Sequence, residues 1–212
     1  PDGKSWQYLP NFLSIGFETK TIVEGFRDNR KFTFCNISLL KPLKGIDLLL
    51  NAFALSFKGE KSTRLVIGGD GEQRRQLEHL VHKLGIVKQV QFLGMLAREQ
   101  VIETISQSHA YVLSSYVETF GISVIESLAL GIPVVATRCG GPESIIRAED
   151  GMLVPPNDAL SLAKAMKNMR KYYMNYNREE IRQSCINRFG QRVIIEKLVD
   201  IYADVINGLP RQ

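Results

Sequence analysis

The sequence predicts an α/β fold, a parallel sheet flanked by helices on both faces. Three observations predict it. From Lys31 to Asp158, short β-prone apolar runs alternate with segments of helical period. Runs such as KFTFCNISLL and PVVAT are rich in apolar and β-prone residues, as in strands buried on both faces. Gly, Pro or a capping residue punctuates several junctions between them. The 212 residues suit one domain or one and a half, and 44% hydrophobic content is enough for a sizeable core.

In chain order, residues 1–30 show no clear period and are expected to be a linker remnant and lead-in segment, with Trp6 a small packing contact. The α/β domain is expected over 31–189 and a C-terminal helix over 190–212. Lys31 to Leu40 is the first strand. KPLKG, Lys41 to Gly45, is a turn, because Pro42 and Gly45 punctuate it. The helix Ile46 to Phe57 follows, with an apolar face of Leu48, Leu49, Ala52, Phe53 and Leu55. Arg64 to Gly69 is a strand running into GGDGEQ. Gly69 and Gly71 there resemble a phosphate loop, but the third glycine of a dinucleotide fingerprint is absent, and a plain turn accounts for them alone. Glu72 to Leu84 is a helix closed by Gly85. Val90 to Gly94 is a strand, Arg98 to Ser106 a helix, and YVLSS, Tyr111 to Ser115, a strand. Ile122 to Leu130 is a helix, Pro133 to Thr137 a strand, Glu143 to Arg147 a short helix and Gly151 to Pro155 a last short strand. Asp158 caps a helix reaching Tyr172. Arg178 to Phe189 and Gln191 to Asn207 are helices. On the last, Val193, Ile194, Leu198, Ile201, Tyr202 and Val205 form an apolar stripe of the kind that usually faces a core.

Composition narrows the function classes. The net charge of +5 favours anionic ligands but is not the dense basic stripe of a nucleic-acid binder. No apolar run is long enough to span a membrane, and no secretory signal is present. The chain begins at Pro1, which suggests a fragment. Cys35, Cys139 and Cys185 have neither disulfide-framework nor zinc spacing, which points to a reducing, cytoplasmic compartment. His79 and His82 lie three apart on a helix, yet no further histidine or cysteine completes a metal site, and His109 is expected to be structural. Gly-x-Ser-x-Gly, Walker and HExxH motifs are absent, as are internal repeats. Lys167, Arg170, Lys171, Tyr172, Tyr173 and Arg178 mix bases with aromatics. A solvated face is the first reading of that patch, and peripheral membrane association the second.

The stretch ETFGISVIE, Glu118 to Glu126, carries the chemistry. It joins the end of the Tyr111 strand to a helix N-terminus, the place where open α/β sheets seat ligands. Unpaired N–H groups and the positive end of the helix dipole suit a phosphate there. Gly121 admits close backbone approach. Glu126 is the only charge in an otherwise apolar helix, and its side chain leans toward the same N-terminus that Glu118 borders. On spacing alone, a narrow solvated face of Ser123, Glu126 and Ser127 is an equal alternative.

Glu118, Phe120, Gly121 and Glu126 form E-x-F-G-x-x-x-x-E, which resembles the E-x7-E signature of family 4 retaining glycosyltransferases. ALGIPVVAT (Ala129 to Thr137), GGPESI (Gly140 to Ile145) and EDGMLVPPND (Glu149 to Asp158) agree, and so does PNF at Pro10 to Phe12. The resemblance runs in order from about Tyr8 to Asp158. It implies the C-terminal, donor-binding half of a GT-B fold, Rossmann-like in architecture, with a missing N-terminal domain for the acceptor.

It further implies retaining transfer of a sugar from a nucleotide-diphosphate sugar to a glycan or lipid-linked glycan, with no bound metal and no cofactor, and no activity from the isolated half. The expected location is cytoplasmic, at the inner face of the membrane for a lipid-linked acceptor. Lys44 falls on the phosphate lysine of the family's G-R-L-x-x-x-K-G pattern. Ser38 stands where the glycine is usual and Leu39 where the arginine is usual, so one phosphate cation is missing. The resemblance gives Glu118 the donor sugar, Lys44 the leaving phosphate and Glu126 the ribose; the backbone N–H groups of Thr119, Phe120, Gly121 and Ile122 suit the diphosphate or the sugar hydroxyls beside it. The resemblance also sets Gly69 and Gly71 along the nucleotide crevice. Glu143 either caps its helix or meets ligand. Two alternatives stay open: a nucleotide-sugar epimerase-like enzyme, and a non-catalytic sugar-nucleotide-binding module.

Overall fold

The structure is a computed structural model in which residues 9–20 and 31–206 are described. Trp6, Tyr8 and Asn207 lie outside those residues, as does most of the lead-in segment. Six strands form one sheet: β1 (Phe32–Ile37), β2 (Thr63–Gly68), β3 (Val90–Gly94), β4 (Ala110–Leu113), β5 (Val134–Thr137) and β6 (Gly151–Val154). Their order is β3-β2-β1-β4-β5-β6, and every neighbouring pair is parallel. This is a doubly wound, Rossmann-like order that reverses between β1 and β4.

The helices are α1 (Ile15–Glu18), α2 (Ile46–Phe57), α3 (Arg74–Leu84), α4 (Arg98–Ser106), α5 (Ile122–Ala129), α6 (Gly141–Ile145), α7 (Ala159–Tyr172), α8 (Arg178–Phe189) and α9 (Gln191–Ile206). They cover both faces, because successive strand side chains point to opposite sides. Phe34, Leu65, Ile67, Val112 and Val135 face α2, α3 and α7, where Leu49, Phe53, Leu77, Leu162 and Met166 complete one core. Cys35, Tyr111, Leu113, Val134 and Ala136 face the other way, onto α4, α5 and α8 through Ile105, Val124, Leu128, Ile181 and Cys185. Each large side chain so buried stabilises the fold by about 1.5–3 kcal/mol.

Several element ends differ from the sequence reading. The first strand stops at Ile37, not Leu40. Ser38 and Leu40 still donate backbone bonds to Gly68 and Asp70, but as a loop. The Tyr111 strand starts at Ala110 and stops at Leu113. Helix α3 begins at Arg74 because Gln73 and Arg74 N–H groups first close turns onto Leu40 and Gly71. Helix α6 begins at Gly141, two residues early, since Pro142 suits a first helical turn. Gly85 and Asp158 cap α3 and α7 as read, Asp158 accepting from the Ser161 N–H at 2.9 Å.

Two burial expectations fail. Leu55 is exposed, and Ile46 and Leu50 take its place in the apolar face of α2. On α9 only Ile194 is buried; Val193, Leu198 and Ile201 are half-buried, and Tyr202 and Val205 are exposed beside Ile195 and Val199. Residues 9–20, by contrast, pack into the domain. Leu13 and Phe17 are buried, and Arg182 on α8 bonds the carbonyls of Phe17, Glu18 and Ala129, tying α1 to the end of α5. His109 is structural as expected: its Nδ1 accepts from the Thr33 N–H at 3.1 Å and its ring stacks on Phe32.

Candidate functional site

The strand order reverses between β1 and β4, so the loops after these two strands part and leave a crevice. A cleft of about 480 Å³ opens there. Asn36 to Leu39 and Lys44 line one side, and Ser115 with Glu118 to Ser123 the other. Tyr111 and Leu113 also border it.

Lys44 reaches the cleft through a short turn. Pro42 to Lys44 form one turn of 3-10 helix, and Gly45 ends it with φ 58°. A Cβ on Gly45 would stand 2.1 Å from the Ser114 carbonyl oxygen, so only glycine lets the two loops meet. Ser114 Oγ donates to the Lys44 carbonyl at 3.1 Å, and the Tyr116 N–H to the Leu43 carbonyl at 2.9 Å. Lys44 Nζ then lies 2.6 Å from Glu118 Oε2, with both side chains mostly buried. Lys44 and Glu118, expected at the leaving phosphate and the donor sugar and 74 positions apart in the chain, thus form one ion pair that links the two sides of the cleft.

The head of α5 continues the Glu118 side. Gly121 adopts φ 104° and starts the helix. Val124 and Ile125 donate to its carbonyl. Among the described residues no hydrogen bond uses the N–H groups of Thr119 to Ser123, so five successive donors stand free at the positive end of the helix dipole. Glu118 itself is fixed by backbone: its N–H donates to the Cys139 carbonyl at 2.9 Å, and its carbonyl accepts from Gly141 at 2.7 Å. The GG turn is therefore a support for the cleft loop. Glu143 caps it, accepting from the Gly140 N–H at 3.1 Å, which accounts for that residue without a ligand.

Glu126 does not line the cleft. It stands one helical turn beyond Ser123, which does, and takes no hydrogen bond from a described residue. Burial raises its carboxyl from the ordinary 4.5 to about 7, against the pull of the Arg98 charge. Ser127 is fully buried, so the solvated-face alternative fails. Gly69 and Gly71 are not on the cleft either. A Cβ on either would fall within 3 Å of the backbone of Ser38 or Leu40, so they serve the close packing of the loops after β1 and β2. Leu39 borders the cleft and is 48% exposed. Among the described residues, Lys44 and Glu118 are the only charged ones on the lining, and their charges cancel.

Sequence reasoning missed the polar floor. Tyr111 reads as a core aromatic in an apolar strand. Its hydroxyl donates to the Ile37 carbonyl at 3.0 Å, and burial pushes its phenol up. Asn36 donates to the Val112 carbonyl and accepts from Ser38 Oγ, stitching β1 to β4 below the cleft. A polar residue inside a buried strand run was the available signal. His79 and His82 are both exposed on α3, and no group of three or more metal-ligating side chains occurs among the described residues.

The family described as Glycosyl transferases group 1 matches residues 18–187. An exopolysaccharide phosphotransferase of Streptomyces coelicolor is 32% identical over 195 residues, covering 88% of this chain and 20% of that protein. An N-acetyl-alpha-D-glucosaminyl L-malate synthase of Bacillus anthracis is 30% identical over 174 residues, covering 81% and 45%. The chain thus spans less than half the length of either relative. The crystal structure of HepE of Anabaena in complex with UDP superposes with TM-score 0.75 at 21% identity, over 82% of this chain and 49% of that one. The fold is that of one half of a GT-B glycosyltransferase.

Proposed function

The chain belongs to the glycosyl transferases group 1 family, and from that premise we propose that it is the donor-binding half of a two-lobed retaining glycosyltransferase. In this reading the cleft seats a nucleotide-diphosphate sugar, and a second lobe binds a glycan or lipid-linked glycan acceptor. The observation that carries the reading is that the Lys44–Glu118 pair and the free amides at the head of α5 line one cleft at the β1/β4 reversal. The UDP held by HepE, and the sugar chemistry named in the relatives, support it.

Each role follows from what the group can do. The N–H groups of Thr119 to Ile122 hold diphosphate oxygens. The ammonium of Lys44 offsets charge that grows on the leaving phosphate, an interaction stronger in the transition state than in the ground state. Glu118 accepts from hydroxyls of the donor sugar. Glu126, which takes no hydrogen bond from a described residue, accepts from the ribose hydroxyls. No bound metal is needed to meet that phosphate charge in this scheme. In this reading the isolated half binds donor but does not complete transfer, because the acceptor binds on the second lobe. Three free cysteines and the lack, among the described residues, of a helix long and apolar enough to cross a membrane fit a cytoplasmic enzyme that meets lipid-linked acceptors at the inner face.

Calorimetric titration of the chain with UDP and with uridine tests the reading. Lys44→Ala should weaken UDP about tenfold and leave uridine unchanged, the loss expected for one charged hydrogen bond. Equal losses for both ligands would refute the phosphate role. A wild-type chain that binds no nucleoside diphosphate would refute the donor site.

A further inference from the structure

We propose that Tyr116 and Asp47 are positioning residues that hold Lys44 against Glu118 and so set the cation the cleft presents to a diphosphate. The inference rests on the donor-site reading and adds to it two residues that do not line the cleft.

The geometry is a clasp around one short turn. The Tyr116 hydroxyl donates to the Asp47 carboxylate, with oxygen distances of 3.2 and 3.3 Å. Asp47 lies three residues after Lys44, in the first turn of α2. The Tyr116 backbone N–H grips Leu43, one residue before Lys44. A single residue therefore holds both flanks of the lysine, two positions before Glu118 on its own loop. The Tyr116 ring edge also lies close to Gly45, 3.6 Å from where a Cβ would stand.

A lysine side chain has four flexible carbons and loses much rotamer freedom when its ammonium is fixed. Its pairing with Glu118 at 2.6 Å is therefore sensitive to where its backbone starts. Once the Lys44 backbone is pinned on both sides, the ammonium meets Glu118 within a small range of rotamers. Burial, with the Asp47 charge second, raises the Tyr116 phenol, so the hydroxyl keeps its proton and stays a donor.

A role confined to core packing makes a different prediction. The Tyr116 ring packs at the edge of the core, and Tyr116→Phe keeps the ring while removing the hydroxyl. The ligand-free readout is the rate at which acetic anhydride labels Lys44, followed by mass spectrometry, with exposed Lys58 as the internal reference. Tyr116→Phe and Asp47→Ala should each speed Lys44 labelling about three- to tenfold, the effect of one lost hydrogen bond. Asp47→Asn keeps an acceptor and should restore nearly the wild-type rate. Lys58 should label equally throughout.

UDP affinity should fall by about the same factor in the first two variants, with uridine affinity unchanged. Asp47→Ala carries the test should Tyr116→Phe fail to fold. Unchanged Lys44 labelling in folded variants would overturn the clasp. Faster labelling with UDP and uridine weakened alike would overturn its bearing on phosphate. Faster labelling in a chain that binds no UDP even as wild type would leave the clasp standing and overturn the donor-site reading beneath it.

Discussion

Replacing Glu126 with Gln should stabilise the protein at neutral pH and above, and the structure sets the size of the effect. Burial in α5 lifts the Glu126 carboxyl from 4.5 to about 7, and the Arg98 charge recovers only part of the cost. The folded chain thus holds a proton that the unfolded chain has released between these values. Stability is full below about pH 4.5 and falls as pH rises through about 7. A shift of about 2.5 units corresponds to about 3 kcal/mol once the carboxylate is fully ionised. Glu126→Gln removes the charge, so its free energy of unfolding should exceed that of wild type by about 3 kcal/mol at pH 8, converging with it at pH 4. Urea unfolding at four pH values between 4 and 8 measures this. A constant difference across the range, or a variant less stable than wild type at pH 8, would refute the burial argument. The same substitution bears on function: under the proposed function the ribose hydroxyls donate hydrogen bonds to this carboxylate and offset that cost.

Two further substitutions probe the cleft walls. Gly45→Ala places a Cβ 2.1 Å from the Ser114 carbonyl at a left-handed φ and should cost about 2 kcal/mol or more, read as a lower urea midpoint; a loss below about 0.5 kcal/mol would show that the two loops can part without penalty. Leu39→Arg adds a cation to a lining whose charges now cancel, so UDP should bind severalfold more tightly with a steeper salt dependence while uridine is unaffected. Equal affinities for wild type and Leu39→Arg would show that Leu39 does not border the phosphates.

What could be read from sequence follows the range of the interactions. The caps at Gly85 and Asp158, the turn at Pro42 to Gly45 and the helix after Gly121 are local, set by a few neighbouring residues. Strand ends were less legible, because β-prone residues continue past the last ladder bond: Ser38 to Leu40 and Ser114 to Ser115 look like strand and serve as cleft loops. The pairing of Lys44 with Glu118 and of Tyr116 with Asp47 spans about seventy residues and depends on β1 lying beside β4, which no local pattern encodes. The α9 stripe misled for the opposite reason: helical periodicity marks an apolar face but not what covers it, and here the described residues leave more than half of Tyr202 and Val205 exposed.

Diffraction from crystals of this chain soaked in UDP tests the central claim most directly. Density for the two phosphates should lie against the amides of Thr119 to Ile122, with Lys44 Nζ turned from Glu118 onto a phosphate oxygen and the ribose toward Glu126. A nucleotide bound elsewhere, with the Lys44–Glu118 pair intact and the cleft holding only solvent, would contradict it.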